Sequence, residues 1–437
     1  MVRHLFSSLH VSLFFSTESD RKKDRMIRVA IIGAGERGTV FADLVGDNPH
    51  LAKVVAVAEP RDVYRKAIQE KHEIPDTHCF SGWEEFIAVD KLCDAVVLAT
   101  MDQDHVVPAV ACMDKGYHML LEKPMAVRLE DCKLIAEAQT RNGVITSVCH
   151  SMRYHKGFAA VKDILDSGRI GTVHTIDHLE QVSYWHQAHS FVRGNWGNEE
   201  TSTFMLMGKS CHDIDYLTHL IGKNCIRVSS FGGLGHFRKE NAPEGAPARC
   251  TDGCPVEQSC AYSAIKAYVH TDRNVWPAKV CSHDHSAEAH LEAISTGPYG
   301  RCVYACDNDV VDHQVVALEY EDNITVTFTM TAFTLDGGRK LRVHGSLGEL
   351  YFDESIITIH DFATGNKETI KMGEETGEHG GGDRRLLLDW LDGLASNSSE
   401  NIKTDVHQSL KTHSIVFAAE ASRKEQRMID LSEFTRV

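Results

Sequence analysis

Gly33, Gly35 and Gly38 stand in the run GAGERG, directly after the apolar stretch IRVAIIG and at the mouth of a helical stretch. Each has its own task in that setting: the first permits a tight turn, the second lets backbone approach a pyrophosphate, and the third lets helix and strand pack closely. The helix start then offers free N–H groups and a partial positive charge to phosphates. Glu59 ends the next apolar run, about 20 residues on, where a carboxylate accepts hydrogen bonds from ribose hydroxyls. These residues predict a dinucleotide site. A carboxylate there repels a 2′-phosphate and favours NAD; Arg61 leaves NADP open, although a solvated arginine is the plainer reading. Glu36 and Arg37 inside the loop, Thr100 and His105 after the strand CDAVVLAT, and Glu122 at the end of HMLLEK are the other expected cofactor contacts.

Glu122-Lys123-Pro124 follows at a predicted strand end. With this tripeptide added to the glycine loop, the chain resembles the glucose-fructose oxidoreductase, inositol dehydrogenase and rhizopine catabolism group, Gfo/Idh/MocA, from Met26 to the C-terminus apart from one insertion. The resemblance implies that Lys123 points at a reacting hydroxyl and the nicotinamide ring, often beside a cis proline. Elementary electrostatics agrees, since a nearby cationic ring disfavours the ammonium and lets the lysine act as acid or base near neutral pH. The third family signature, a helix with an aspartate and a histidine four residues later, is kept in part. His212, followed by Asp213 and Asp215, matches the histidine, but Gly208 stands where the aspartate belongs, with Lys209 beside it. On one helix Lys209, His212, Asp213 and Tyr216 would share a face. A Lys209–His212 catalytic pair is one reading, and a Lys209–Asp213 salt bridge the plainer one. Arg153, Tyr154, His155, Trp185 and Asp213 are the expected substrate contacts, with His186, His189 and Trp196 as alternatives between sugar binding and packing. The resemblance implies an NAD(P)-dependent dehydrogenase of a sugar, inositol or sugar derivative, assembled as a dimer or tetramer. A redox-neutral enzyme that oxidises a sugar transiently to eliminate a glycosidic substituent is the alternative, and a nonenzymatic NAD/sugar sensor a third.

Cys250, Cys254 and Cys260 crowd the run RCTDGCPVEQSC, with Cys281 downstream. Such thiols fit a tetrahedral structural zinc that would staple a loop with little core. A disulfide or plain reduced thiols compete with that reading, because 13 cysteines is an odd number and most stand singly in apolar contexts. Cys302 and Cys306 belong to pocket or core.

The elements that position these residues alternate regularly from Ile27: strand, helix, strand, helix, the grammar of a parallel sheet with crossover helices. Residues 26–148 are read as this Rossmann domain and 149–437 as an α+β domain of mainly antiparallel strands, with an insertion at about 232–300. Residues 1–25 read as a disordered extension rather than a secretory signal, since no small-residue cleavage site follows LFSSLHVSLFF. At 437 residues two domains are expected. The net charge of −16 argues against nucleic acid, and no run approaches the roughly 20 apolar residues of a membrane span. A cytoplasmic enzyme is expected.

Overall fold

The computed structural model describes residues 26–373 and 377–435; the expected N-terminal extension lies outside them. The first half follows the predicted alternation. Strands β1 (Ile27–Ile32), β2 (Ala52–Ala58), β3 (Cys79–Phe80), β4 (Ala95–Leu98), β5 (His118–Leu121) and β6 (Thr146–Val148) form a six-stranded sheet in the order β3-β2-β1-β4-β5-β6. Every pairing in it is parallel. Successive side chains alternate between its faces. Ile32, Leu98 and Leu121 pack with helix Leu129–Asn142 on one side. Ile31, Val97 and Leu120 pack on the other with helix α1 (Glu36–Gly46).

The second sheet has nine strands: β7 (Val173–Gln181), β8 (Cys225–Gly233), β9 (His313–Tyr320), β10 (Ile324–Thr331), β11 (Gly338–Gly345), β12 (Gly348–Phe352), β13 (Ile356–Asp361), β14 (Lys367–Lys371) and β15 (Ile429–Asp430). All its pairings are antiparallel except β7 with β10. Period-two burial along β9 and β10 leaves one face of this sheet open, and Phe231 and Val315, paired across β8 and β9, stand out from it. The insertion leaves between β8 and β9 and carries only short helices, among them Ala264–Tyr268 and Ala287–Thr296.

The last two long helices cross the expected domain boundary. Leu386, Leu387, Trp390 and Leu391 of helix Gly382–Ser396 join the Rossmann core, and helix α2 (Val406–Glu425) packs on Leu129–Asn142. Thr404 continues this seam by accepting the Val148 N–H at 2.7 Å. No helix among the described residues is long and apolar enough to cross a membrane.

Candidate active site

The strand order reverses between β1 and β4, and in open parallel sheets that switch point is where ligands bind. Gly33 turns there with φ +85°, and a Cβ on it would lie 2.5 Å from the Ala99 carbonyl. A Cβ at Gly38 would sit 1.8 Å from the Gly33 carbonyl, so the loop and α1 close on each other only through glycine. Gly35 faces open space except for Arg61 Nη2 at 3.5 Å, and it leads α1 without any side-chain cap. That uncapped start beside an open cradle suits a pyrophosphate.

Glu59 is buried at the end of β2 and accepts the Ala34 N–H at 2.7 Å and Arg61 Nε at 2.6 Å. Burial opposes its charge, but Arg61 and the backbone N–H groups outweigh it and hold the carboxyl below the usual range. Arg61 is half exposed and lies 4.0 Å over the Tyr64 ring. The cradle and the strand-end acid therefore fit a dinucleotide. When bound, its nicotinamide supplies the hydride acceptor.

Several expected cofactor contacts are engaged elsewhere. Arg37 bridges Glu122 at 2.6 Å and Asp383 at 2.8 Å, tying the glycine loop to helix Gly382–Ser396. Glu36 faces the insertion, paired with Lys279 at 2.8 Å. His105 is buried, with Nδ1 2.8 Å from the Pro124 carbonyl, and so positions the lysine loop from behind. Thr100 bonds the Asp104 carbonyl at 3.1 Å while its backbone packs against Gly33.

Lys123 precedes a cis proline and donates to the Gly208 carbonyl at 2.9 Å. The residue that lacks the expected carboxylate thus still holds the lysine, through its backbone. Nearby, Trp196 Nε1 donates to Asp102 at 2.9 Å; burial pushes this carboxyl up against the pull of His105 and Lys123. Asp102 is thus an acid beside the lysine.

His212 is buried, and neither ring nitrogen has a hydrogen-bond partner. Desolvation, then the adjacent Lys123, push its pKa well below the ordinary value, so the imidazole rests neutral. Its ring lies 5.8 Å from His150 and 5.6 Å from His379. A neutral imidazole with two free nitrogens beside an ammonium can accept or relay one proton.

The single helix expected through Lys209 and His212 is broken. It splits into Met205–Gly208 and Cys211–Ile221, and Lys209 falls in the gap. Lys209 therefore turns to Glu180 of β7 at 3.2 Å, and neither the expected salt bridge with Asp213 nor a shared helix face with His212 forms. Asp213, expected as a substrate contact, is buried and held by His178 and Arg339, each at 2.8 Å.

The expected substrate residues at the start of the second domain are also committed. Arg153 grips Asp215 with two bonds, at 2.6 and 2.7 Å, and holds that carboxyl at about 2 against the effect of burial. Tyr154 donates to Asp389 at 2.6 Å, and His155 caps helix Lys156–Asp166 by accepting the Gly157 N–H. Trp185 stays partly exposed and stacks on His186, while Trp276 of the insertion packs edge-on against both. Motif reading did not single out Trp276, because a lone tryptophan in an irregular insertion carries no periodic signal.

The zinc expectation is corrected. All 13 cysteines are free, and no group of three or more His, Cys, Asp or Glu among the described residues is placed to hold a metal ion. Cys250, Cys254 and Cys260 line one cavity, but Cys302, not Cys281, joins them; Cys281 packs with the small core around Tyr268.

A doubly wound sheet joined to a large open sheet, with a strand-end lysine reaching across their seam, defines a two-domain nicotinamide-dependent dehydrogenase. The chain belongs to the Gfo/Idh/MocA oxidoreductase family: the family's NAD-binding Rossmann domain matches residues 27–150 and its C-terminal alpha/beta domain residues 162–431. It is similar to the putative oxidoreductase YteT of Bacillus subtilis, 24% identical over 75% of this chain and 78% of that one. It is also similar to the scyllo-inositol 2-dehydrogenase (NADP(+)) IolW of the same organism, 28% identical over 46% of this chain and 54% of that one. Among solved structures, levoglucosan dehydrogenase in complex with NADH superposes with a TM-score of 0.69 at 14% identity, over 93% of this chain and 99% of that one. An Agrobacterium radiobacter oxidoreductase in complex with NAD+, L-tartaric acid and magnesium has the same TM-score at 14% identity, over 94% and 99%.

Proposed function

We propose that this enzyme moves a hydride between NAD and a ring carbon of a sugar, inositol or sugar derivative, with Lys123 and His212 handling the hydroxyl proton. The observation that carries the proposal is the buried His212 ring, unpartnered at both nitrogens and next to Lys123, which is fixed by the Gly208 carbonyl. Lys123 is the group that meets the substrate hydroxyl, and His212 passes the proton on. His105 and Gly208 position the lysine. Trp185, His186 and Trp276 offer ring faces and polar edges to a carbohydrate. The half-exposed Arg61 pairs with Glu59, and this closed pair favours NAD over NADP. Incubation with NAD and a panel of inositols, aldoses and uronates should yield NADH in step with product; no turnover with any of them would count against the proposal.

The redox-neutral alternative draws support from the insertion. Lys279 on Glu36 and His283 on Tyr64, rings 5.2 Å apart, lay the insertion across the mouth of the glycine loop. A dinucleotide held behind them would be slow to leave and suited to returning its hydride. Release of an aglycone from an aryl glycoside without net NADH, by protein that retains NAD through gel filtration, would select this reading. We further propose that the open face of the nine-stranded sheet, with Phe231 and Val315 on it, mates with a second copy to form a dimer or tetramer.

A further inference from the structure

A proton taken from a substrate hydroxyl has to reach water, and the buried His212 cannot deliver it there alone. Two imidazoles flank it, His150 at 5.8 Å and His379 at 5.6 Å between ring centroids. The His150 side is closed. His150 is buried, and so are the two groups behind it: Asp215, 3.8 Å from its Nδ1 and gripped by Arg153, and the His413 ring at 5.6 Å. Both His413 nitrogens are committed, Nε2 accepting the Met125 N–H at 3.0 Å and Nδ1 donating to the Ser409 carbonyl at 2.8 Å. A proton arriving there would have to break the Met125 bond, and the ring meets no solvent.

The His379 side opens. Its side chain is 35% exposed, and its Nδ1 lies 3.0 Å from Asp383. Asp383 is buried and takes two bonds from Arg37, at 2.8 and 2.9 Å. Burial opposes its charge, but His379 and Arg37 outweigh that and hold the carboxyl well below the usual range. An ionised carboxylate can only accept, so the neutral His379 ring carries its hydrogen on Nδ1 and keeps Nε2 free. The backbone is shaped for this. His379 is left-handed, with φ 47°, and Gly380 and Gly381 follow it at 55° and 72°. Histidine enters that region at a cost and stays only where the surroundings fix it. Here Asp383 holds the ring, and the Gly380 carbonyl accepts Arg385 Nη2 at 3.0 Å. The turn thus keeps the ring within reach of His212 while part of it meets water.

We propose that His379 is the proton exit of the active site: it takes the substrate's hydroxyl proton from His212 on Nε2 and hands it to solvent, with Asp383 as the residue that positions it. This rests on the dehydrogenase reading of Lys123 and His212. For each alcohol oxidised, the carbon-bound hydrogen leaves with two electrons as hydride to the nicotinamide. The hydroxyl hydrogen leaves as a proton that passes Lys123, His212 and His379 in turn. Each group gains one proton and loses one, so all three end the cycle as they began it. Imidazoles at this separation exchange a proton through a small rotation or one water. In the direction of reduction the same path brings the proton in.

His379→Asn is the variant to make, because asparagine accepts a left-handed backbone and cannot relay a proton. In dilute buffer it should lower kcat by about 10-fold or more. Added imidazole should restore most of the rate, whereas sodium chloride at the same ionic strength should not. A second reading needs no turnover: NMR of the NAD-free full chain, labelled in its histidine rings, should show the neutral His379 with its hydrogen on Nδ1. Full activity of His379→Asn in dilute buffer, a loss that imidazole leaves untouched, or a neutral His379 protonated on Nε2 would each overturn the proposal while leaving wild-type NADH formation in place. No NADH from the wild type with any sugar, inositol or uronate would instead remove the dehydrogenase reading, and the exit with it.

Discussion

Lys123 rests its ammonium on a backbone carbonyl because position 208 has no carboxylate to offer. Replacing Lys123 by methionine should cut kcat by about 10²- to 10⁴-fold, the usual worth of a positioned acid or base, while NAD affinity by calorimetry stays near wild type; an unchanged kcat would remove its assigned role. Gly208→Asp tests the vacancy itself. A Cβ there meets only the Thr203 methyl at 3.4 Å and Trp196 Cδ1 at 3.7 Å, so the side chain has room to reach Lys123. An anion beside an ammonium raises its pKa. Gly208→Asp should therefore draw the lysine off the Gly208 carbonyl and change kcat by about 10-fold or more, and an unchanged kcat would show that position 208 does not act on Lys123. Lys123 was legible because strand, tripeptide and proline are consecutive. The engagement of Arg37 was not, since Asp383 lies 346 residues away, and Arg153 meets Asp215 across 62 residues. Long-range ion pairs follow no local period, so Arg37, read as a cofactor contact, and Arg153, read as a substrate contact, turn out to be committed to distant carboxylates.

At the level of elements, the close approach at Gly38 was readable because it is set by Gly33 and Ile31 within the same strand–turn–helix unit, whereas Gly33 itself turns against Ala99 beyond another strand. Gly38→Ala should abolish NAD binding or folding of the loop, since its Cβ would overlap the Gly33 carbonyl; equilibrium dialysis with normal affinity would contradict the geometry. The helix carrying His212 was only half legible. An apolar pattern runs from Met205 to Ile221, yet the backbone breaks at Lys209 and Ser210, where the salt bridge to Glu180 draws the lysine onto the sheet. Tertiary pairing overrides helical propensity there. The parallel contact of β7 with β10 escaped the run-of-strands rule for the same reason, because it is set by a connection of more than a hundred residues.

For the whole molecule, buried neutral histidines set the acid limit. Desolvation lowers His150 to about 4 and His189 and His413 to about 3, from an ordinary 6.5. Between those values and 6.5 the unfolded chain binds protons that the folded chain refuses, so stability falls as pH drops through this window, by about 1 kcal/mol per pH unit for each histidine. Thermal scans should show Tm declining steadily from pH 7 to pH 5; a flat profile would refute the neutral assignments. Phe231, 72% exposed on the open sheet face, should convert the assembly to monomer on substitution by glutamate, read by light scattering at micromolar concentration; a monomeric wild type would discard that interface. His413 on α2 accepts the Met125 N–H two residues beyond Lys123, and Trp390 and Leu391 fill the sheet near α1. A ribosome that has released every motif residue of this enzyme has therefore still not released the wall behind them. The nascent N-terminal half waits with an apolar flank uncovered until about the last eighth of the chain, from Gly382 onward, is translated, and a premature stop after residue 380 would be as damaging as the loss of the lysine itself.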